Sequence, residues 1–105
     1  MFVGFSKGGL VKLIVDVSIS DKEPRDSHHF ATMRREFETG LVPMVGMEIE
    51  DVAWKESRAI SSVIMNPTEG YYYVFAGEDK GEGEAQCQRL VEMYKSHGWN
   101  SLGGR

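Results

Sequence analysis

The clearest pattern in the chain lies in the stretch Val11-Lys12-Leu13-Ile14-Val15-Asp16-Val17-Ser18-Ile19-Ser20. Every second residue from Val11 to Ile19 is apolar, and most of these side chains are β-branched. This alternation predicts a strand with one buried face over residues 11–19. Residues 2–5 are short and apolar, and the glycine-containing residues 6–9 favour a turn. We therefore expect residues 2–5 and 11–19 to form a hairpin.

The next apolar pattern has helical spacing. Phe30, Met33, Phe37 and Leu41 recur every three or four residues, with charged side chains between them. Such spacing predicts an amphipathic helix of about three turns. Gly40 suits its C-terminal end.

The middle of the chain is extended in character. Val45, Met47 and Ile49 alternate, but Trp54 is out of phase with them. Either a β-bulge at Glu50-Asp51 re-aims the later side chains, or Trp54 packs on the other face. Residues 58–65 and 71–75 are strand-like and flank a turn at 66–70, so this half of the chain predicts antiparallel strands.

A second helix is expected near the C-terminus. Cys87, Leu90, Val91 and Tyr94 form one apolar stripe, and Gly98 suits the end of the helix. The predicted fold is α+β in the order ββαβββα. It has a mostly antiparallel five-stranded sheet with two amphipathic helices packed on one face. Its 105 residues suit a single domain over residues 1–102, with a short tail at 103–105.

Composition narrows the class of protein. The formal net charge is −4, and basic residues are scattered, which argues against nucleic-acid binding. Cys87 is the only cysteine, so no intrachain disulfide can form. No secretory signal or membrane-length apolar run is visible. We expect a cytoplasmic protein that binds no membrane.

Several residues of types that carry chemistry in other proteins are better explained structurally. His28 and His29 are adjacent, so on a helix they would point about 100° apart and would not share a metal ion. Gly81 and Gly83 resemble a dinucleotide-binding fingerprint only faintly, and Glu82 and Glu84 would repel a pyrophosphate. Cys87 lies in an apolar stripe. We therefore predict no metal, no cofactor and no catalytic residue.

The remaining candidates lie on the sheet face that the helices leave open. Acidic, aromatic and basic side chains are expected to meet there as a ligand site or interface: Asp16, Glu48, Glu50, Trp54, Arg58 and Tyr72. Either Tyr72 or both Tyr71 and Tyr73 must face this side, because side chains alternate along a strand. Exposed aromatics on a sheet favour a protein interface or a ligand platform.

These features predict a non-enzymatic binding module that self-associates as a homodimer through its open sheet face or an edge strand. Its partner would be another copy, a different protein or a small molecule. Two alternatives remain open. One is a small enzyme or small-molecule carrier with Asp16, Glu48, Glu50 and Arg58 in a pocket. The other is an acidic inhibitor or immunity-type protein that blocks a basic partner.

Overall fold

A computed structural model describes residues 9–23 and 28–102. Within these residues the chain forms an α+β structure with one helix. Its elements are β1 (Val11–Asp21), β2 (His28–Thr39), β3 (Glu48–Ile49), β4 (Arg58–Ala59), β5 (Ser62–Asn66), β6 (Tyr71–Gly81), α1 (Glu84–Ser96) and β7 (Asn100–Leu102).

Five of the strands form one sheet in the order β5-β6-β1-β2-β7. The pairs β1–β2, β2–β7 and β5–β6 are antiparallel, and only β1–β6 is parallel. The prediction of a mostly antiparallel five-stranded sheet is therefore confirmed. Strands β3 and β4 form a separate two-stranded ladder in the long connection between β2 and β5.

The central strand β1 separates two different faces of the sheet. Alternate residues Leu13, Val15, Val17 and Ile19 are buried in the core, together with Val91 of α1. We call this side the helix face and the opposite side the open face. The alternation of β1 was visible in the sequence because its odd-numbered residues enter the hydrophobic core, although Ile14 and Asp16 on the other face are buried too.

The predicted helix around residues 30–41 is wrong, because this segment is strand β2. It pairs with β1 along its whole length, with Met33 opposite Val17 in the core. The alternation of apolar and polar residues expected of a strand was hidden in β2, because Arg35 occupies a core-side position. Its guanidinium bonds to Asp51 there. A register shift between Ile19 and Ser20 adds a further irregularity. Pairing with β1 places Ala31 and Met33 in the core, so tertiary context overrides local spacing.

The predicted order ββαβββα with two helices is not confirmed, because the predicted first helix is strand β2. Among the described residues, six strands precede α1 and β7 follows it. The predicted strand at residues 2–5 and the tail at 103–105 lie outside the described residues.

Strand β6 contains a bulge that changes which side chains face the core. Asp16 pairs with Phe75 and Ser18 pairs with Glu78, so β6 has one extra residue between these pairs. Gly77 lies there with φ of 92°, a conformation that glycine adopts at little cost. Beyond the bulge, Asp79 turns toward the helix face.

The C-terminal helix is confirmed at Glu84–Ser96, with Cys87, Val91 and Tyr94 buried. Its first turn packs closely against the end of β6. A Cβ on Gly81 would lie 2.8 Å from the Cys87 sulfur, so only glycine fits there without displacement. Gly98 follows the helix with φ of 93°.

The bulge considered at Glu50-Asp51 is not what re-aims Trp54. Strand β3 ends at Ile49, and Asp51 then starts a turn in which its carboxylate accepts a bond from Ala53 N at 3.0 Å. The backbone N–H of Trp54 also bonds to the Asp51 carbonyl at 3.0 Å. The chain leaves the strand here, and this turn sends Trp54 toward the core.

Candidate functional site

The open face contains a buried carboxylate, that of Asp16 on β1. Its side chain is 1% exposed. Arg34, its register partner on β2, donates to both carboxylate oxygens, from Nε at 2.8 Å and from Nη2 at 3.0 Å. Tyr73 on β6 donates its hydroxyl at 2.6 Å. We call Asp16, Arg34 and Tyr73 the open-face cluster.

The electrostatics of the open-face cluster stabilise the ion pair between Asp16 and Arg34. The hydrogen bond to Asp16 raises the pKa of Arg34, and the same carboxylate, followed by burial, raises the pKa of Tyr73. The guanidinium carbon also lies 5.4 Å from the centre of the Tyr73 ring. Because Asp16 accepts three hydrogen bonds and faces a fixed cation, it is poorly suited to act as a general base.

A shallow pocket of about 410 Å³ lies over the open-face cluster. The other residues that line it are His29, Phe30, Thr32 and Leu102. His29 lies between two hydroxyls, with Ser18 Oγ 3.3 Å from Nδ1 and Thr32 Oγ1 3.2 Å from Nε2. Polar side chains are therefore available there to a small ligand.

The helix face contains a second group of the same composition. Asp79 accepts a bond from Arg58 Nη2 at 2.5 Å and another from the hydroxyl of Tyr94. Trp54 Nε1 donates to the same hydroxyl at 2.8 Å, and the Arg58 guanidinium lies 4.8 Å from the Trp54 ring centre. We call Asp79, Arg58, Tyr94 and Trp54 the helix-face cluster.

Burial is stronger at the tyrosine of the helix-face cluster. Tyr94 is fully buried, and this burial is the main cause that raises its pKa. The hydrogen bond to Asp79 is the second cause. Arg58 Nη1 is buried and has no hydrogen-bond partner among the described residues. A pocket of about 520 Å³ borders Trp54, Arg58 and Asp79. This cluster is therefore less completely satisfied than the one on the open face.

Asp51 links the long β2–β5 connection to the rest of the core. It accepts bonds from Arg35 Nη1 at 2.8 Å and from Trp99 Nε1 at 3.0 Å. The Trp54 and Trp99 ring centres are 5.7 Å apart. The connection is thus anchored by charge-assisted bonds and aromatic packing.

The six residues predicted from the sequence do not form one site. Asp16 lies on the open face, whereas Trp54 and Arg58 contact each other on the helix side. Glu48 and Glu50 are exposed in the long connection, where Glu48 accepts a bond from Ser57.

Tyr72 packs against the core, so Tyr71 and Tyr73 are the tyrosines on the open face. The prediction that centred on Tyr72 chose the wrong one of the two alternatives.

Sequence reasoning missed Arg34, Asp79 and Tyr94, and it considered Tyr73 only as one of two alternatives for the open face. One signal was available for Arg34. Asp16 lies between Val15 and Val17 in the middle of a strongly apolar strand, and a buried carboxylate requires a cationic partner. Only a β-strand interpretation of residues 28–39 would have placed Arg34 opposite it.

The described residues contain no group of three or more His, Cys, Asp or Glu side chains placed to hold a metal ion. In that same part of the chain, no helix is long and apolar enough to cross a membrane. Cys87 is buried, its thiol lies 3.6 Å from the Ser20 carbonyl, and burial raises its pKa. A raised pKa lowers the thiolate fraction, so this cysteine is a poor nucleophile.

The chain was compared with protein-family models, with curated proteins and with solved structures, and none of the three comparisons found a match.

Proposed function

We propose that this protein is a non-enzymatic interaction module that forms a homodimer by pairing strand β5 with β5 of a second copy. The main support is that β5 is an edge strand with exposed apolar side chains. Strand β5 is terminal in the sheet, and two of its large apolar side chains are exposed, Ile64 at 56% and Met65 at 60%. An unprotected apolar edge is a template for pairing with another chain.

The edge formed by β5 lacks the usual protection. Its sequence, Ser-Val-Ile-Met-Asn, contains no charged residue and no proline. The outer edge of β2 differs, because Glu36 and Glu38 lie on the part that extends beyond β7. Charged side chains block edge-to-edge pairing. In the described part of the chain, the sheet is therefore protected at one edge and open to pairing at the other.

A second copy is the occupant that suits β5 best. Antiparallel pairing about a two-fold axis at Ile64 would place Ile64 opposite Ile64 and Val63 opposite Met65. No like charges would meet, although the whole chain has a net charge of −4. The two five-stranded sheets would become continuous.

The alternative of a small enzyme is less well supported. It requires Asp16, Glu48 and Glu50 in one pocket, yet each lines a different one, of about 410, 310 and 360 Å³. Because these carboxylates are dispersed, the geometry favours an interaction module. A reducing, cytoplasmic setting fits its single buried thiol.

Sedimentation velocity over a concentration series tests the dimer. A five-residue strand gives a small interface, so we expect a dissociation constant on the order of 10–100 µM. Ile64→Lys should give only monomer while circular dichroism stays native. The matched control is Val52→Lys, because Val52 is 72% exposed but lies outside the sheet.

Two results would contradict the proposal. One is a wild-type protein that is monomeric at about 500 µM, well above the expected dissociation constant. The other is a Val52→Lys variant that dissociates as fully as Ile64→Lys, which would place the interface elsewhere.

A further inference from the structure

The edge strand β5 contains an exposed methionine. Met65 is 60% exposed, whereas Met33 of β2 is fully buried. An oxidant must reach the thioether sulfur, so an exposed methionine is oxidised more readily than a buried one. Met44 is 61% exposed, but it lies in the connection between β2 and β3, outside the sheet. Met44 and Met65 are therefore equally accessible, and of these two Met65 alone lies on the edge proposed to pair.

The register of β5 fixes the side of the sheet on which Met65 lies. Met65 pairs with Tyr72, and Val63 pairs with Val74. Tyr72 and Val74 pack in the core on the helix face, and Val63 packs there too. Met65 and Val63 therefore share that face, because residues two apart on a strand point to the same side. In the proposed two-fold pairing, each Met65 side chain would cover Val63 of the other copy.

We propose that oxidation of Met65 by a hydroperoxide dissociates the dimer. This inference rests on the proposed function, because it concerns regulation of the same edge. With hydrogen peroxide, the Met65 sulfur loses two electrons and gains one oxygen atom, as an S–O bond forms and the O–O bond breaks. The leaving hydroxide takes the proton of the transferred oxygen, so the peroxide is reduced to water and the side chain becomes methionine sulfoxide.

The sulfoxide opposes pairing because it is polar where the thioether is apolar. In the dimer it would lie against Val63 of the other copy, which has no side-chain hydrogen-bond donor. A buried polar group without a partner is costly. The two-fold axis repeats this cost at the second Met65. Because a five-residue strand gives a small interface, two such groups should raise the dissociation constant at least about tenfold.

The other sulfur atoms of the described residues do not lie on this edge. Cys87 of α1 and Met33 of β2 are buried, so an oxidant reaches them poorly. Met47, at 38% exposed, and Met44 lie in the connection between β2 and β3. Met65 is the one sulfur-containing residue of β5. The effect on pairing is therefore assigned to Met65.

Sedimentation velocity before and after hydrogen peroxide treatment tests the inference, with peptide mass spectrometry to measure the sulfoxide fraction at each methionine. Oxidised wild type should dissociate at least about tenfold more readily. Oxidised Met65→Leu should stay dimeric, because leucine has a similar volume and no sulfur. Met44→Leu is the matched control and should dissociate on oxidation as wild type does. A methionine sulfoxide reductase with a dithiol should restore the wild-type dimer, since the sulfoxide oxygen leaves as water and the dithiol becomes a disulfide.

A polar substitution separates the effect from other damage by the oxidant. Met65→Gln places a polar side chain of similar length on β5 without any oxidation. It should weaken the dimer at least about tenfold, as the sulfoxide does. Met44→Gln introduces the same group at a position of equal exposure outside the sheet, and it should leave the dissociation constant unchanged.

The initial rate of oxidation provides a second measurement, because pairing covers Met65 and leaves Met44 exposed. At about 1 µM protein most chains are monomeric, and the two methionines should react at similar rates. At about 500 µM most chains are dimeric, and Met65 should react at least about threefold more slowly than Met44. Equal rates at both concentrations in a protein that dimerises would place the interface away from β5, which contradicts the inference.

The remaining outcomes separate this inference from the proposed function. A dimer that persists after full conversion of Met65 to the sulfoxide would overturn the inference and leave the β5 dimer intact. Dissociation of oxidised Met65→Leu would assign the effect to another residue and would also overturn it. A reduced wild type that is monomeric at about 500 µM would contradict the proposed function and this inference together.

Discussion

The two faces of the sheet each contain an aspartate that binds an arginine and a tyrosine, but the two clusters differ in how completely they are satisfied. In the open-face cluster, the Asp16 side chain is 1% exposed, and its carboxylate accepts hydrogen bonds from Nε and Nη2 of Arg34. In the helix-face cluster, the Asp79 side chain is 19% exposed, and one buried nitrogen of Arg58 finds no hydrogen-bond partner within residues 9–23 and 28–102. Similar composition therefore gives a closed ion pair on one face and an incomplete network on the other.

This difference changes what each cluster can contribute. The closed pair on the open face holds β1, β2 and β6 in register, because its three members come from these three strands. The helix-face cluster joins β4 and β6 to α1 and to the connection that contains Trp54. The first mainly stabilises the sheet, whereas the second holds part of the long connection against β6 and α1.

Removing the arginine from each cluster should separate them most clearly. Arg34→Met leaves the Asp16 carboxylate buried without its cation, which should lower the free energy of unfolding by about 3–5 kcal/mol. Arg58→Met should cost only about 1–3 kcal/mol, because water can reach Asp79. Urea unfolding monitored by circular dichroism measures both.

Arg34→Lys is the control that separates loss of the charge in Arg34→Met from a general loss of folding. It keeps the charge but loses the two-point contact, so it should fall between wild type and Arg34→Met. An equal or larger loss in Arg58→Met would mean that the exposed fraction of the aspartate does not determine the cost.

The aspartates also show how far sequence reasoning reached. The alternation of β1, the stripe of α1 and the strand at Tyr71 were visible because each buries one regular set of side chains. The partner of Asp16 was not visible, because β2 has Arg35 on its core side and a register shift near Ser20. Nor could Asp79 be placed, since the bulge at Gly77 reverses the orientation of the residues beyond it.

Removing the tyrosine hydroxyl from each cluster should give a smaller difference in the free energy of unfolding than removing the arginine. Tyr94→Phe removes a bond to Asp79 and leaves the Trp54 N–H without an acceptor, so we expect a loss of about 2–3 kcal/mol at neutral pH. Tyr73→Phe removes one bond to Asp16 and should cost about 1 kcal/mol.

Alkaline pH provides an independent measure of the same hydroxyls. The pKa of each tyrosine is raised in the folded protein, so the resulting stabilisation is fully present below the unfolded pKa of about 10. As pH rises from there through the folded pKa, each tyrosine should lower the free energy of unfolding by up to about 1.4 kcal/mol per pH unit. Each phenylalanine variant should show a shallower slope between about pH 10 and pH 11.5, and an unchanged slope would contradict the assignment.

The smallest effect is expected at an ion pair that shares the strands and the face of the open-face cluster. Lys12 Nζ lies 3.2 Å from Glu36 Oε1, but both side chains are about half exposed, at 49% and 46%. A double-mutant cycle with Lys12→Met and Glu36→Gln should give a coupling below about 0.5 kcal/mol that vanishes at high salt.

The corresponding cycle with Asp16→Asn and Arg34→Met should give a coupling several times larger. Much of that coupling is the cost of leaving one charge buried alone, rather than the net stabilisation by the pair. The double variant should therefore be more stable than Arg34→Met alone, because it contains no uncompensated carboxylate. If adding Asp16→Asn to Arg34→Met destabilises the protein further, the pair's own attraction exceeds the cost of burying its charges.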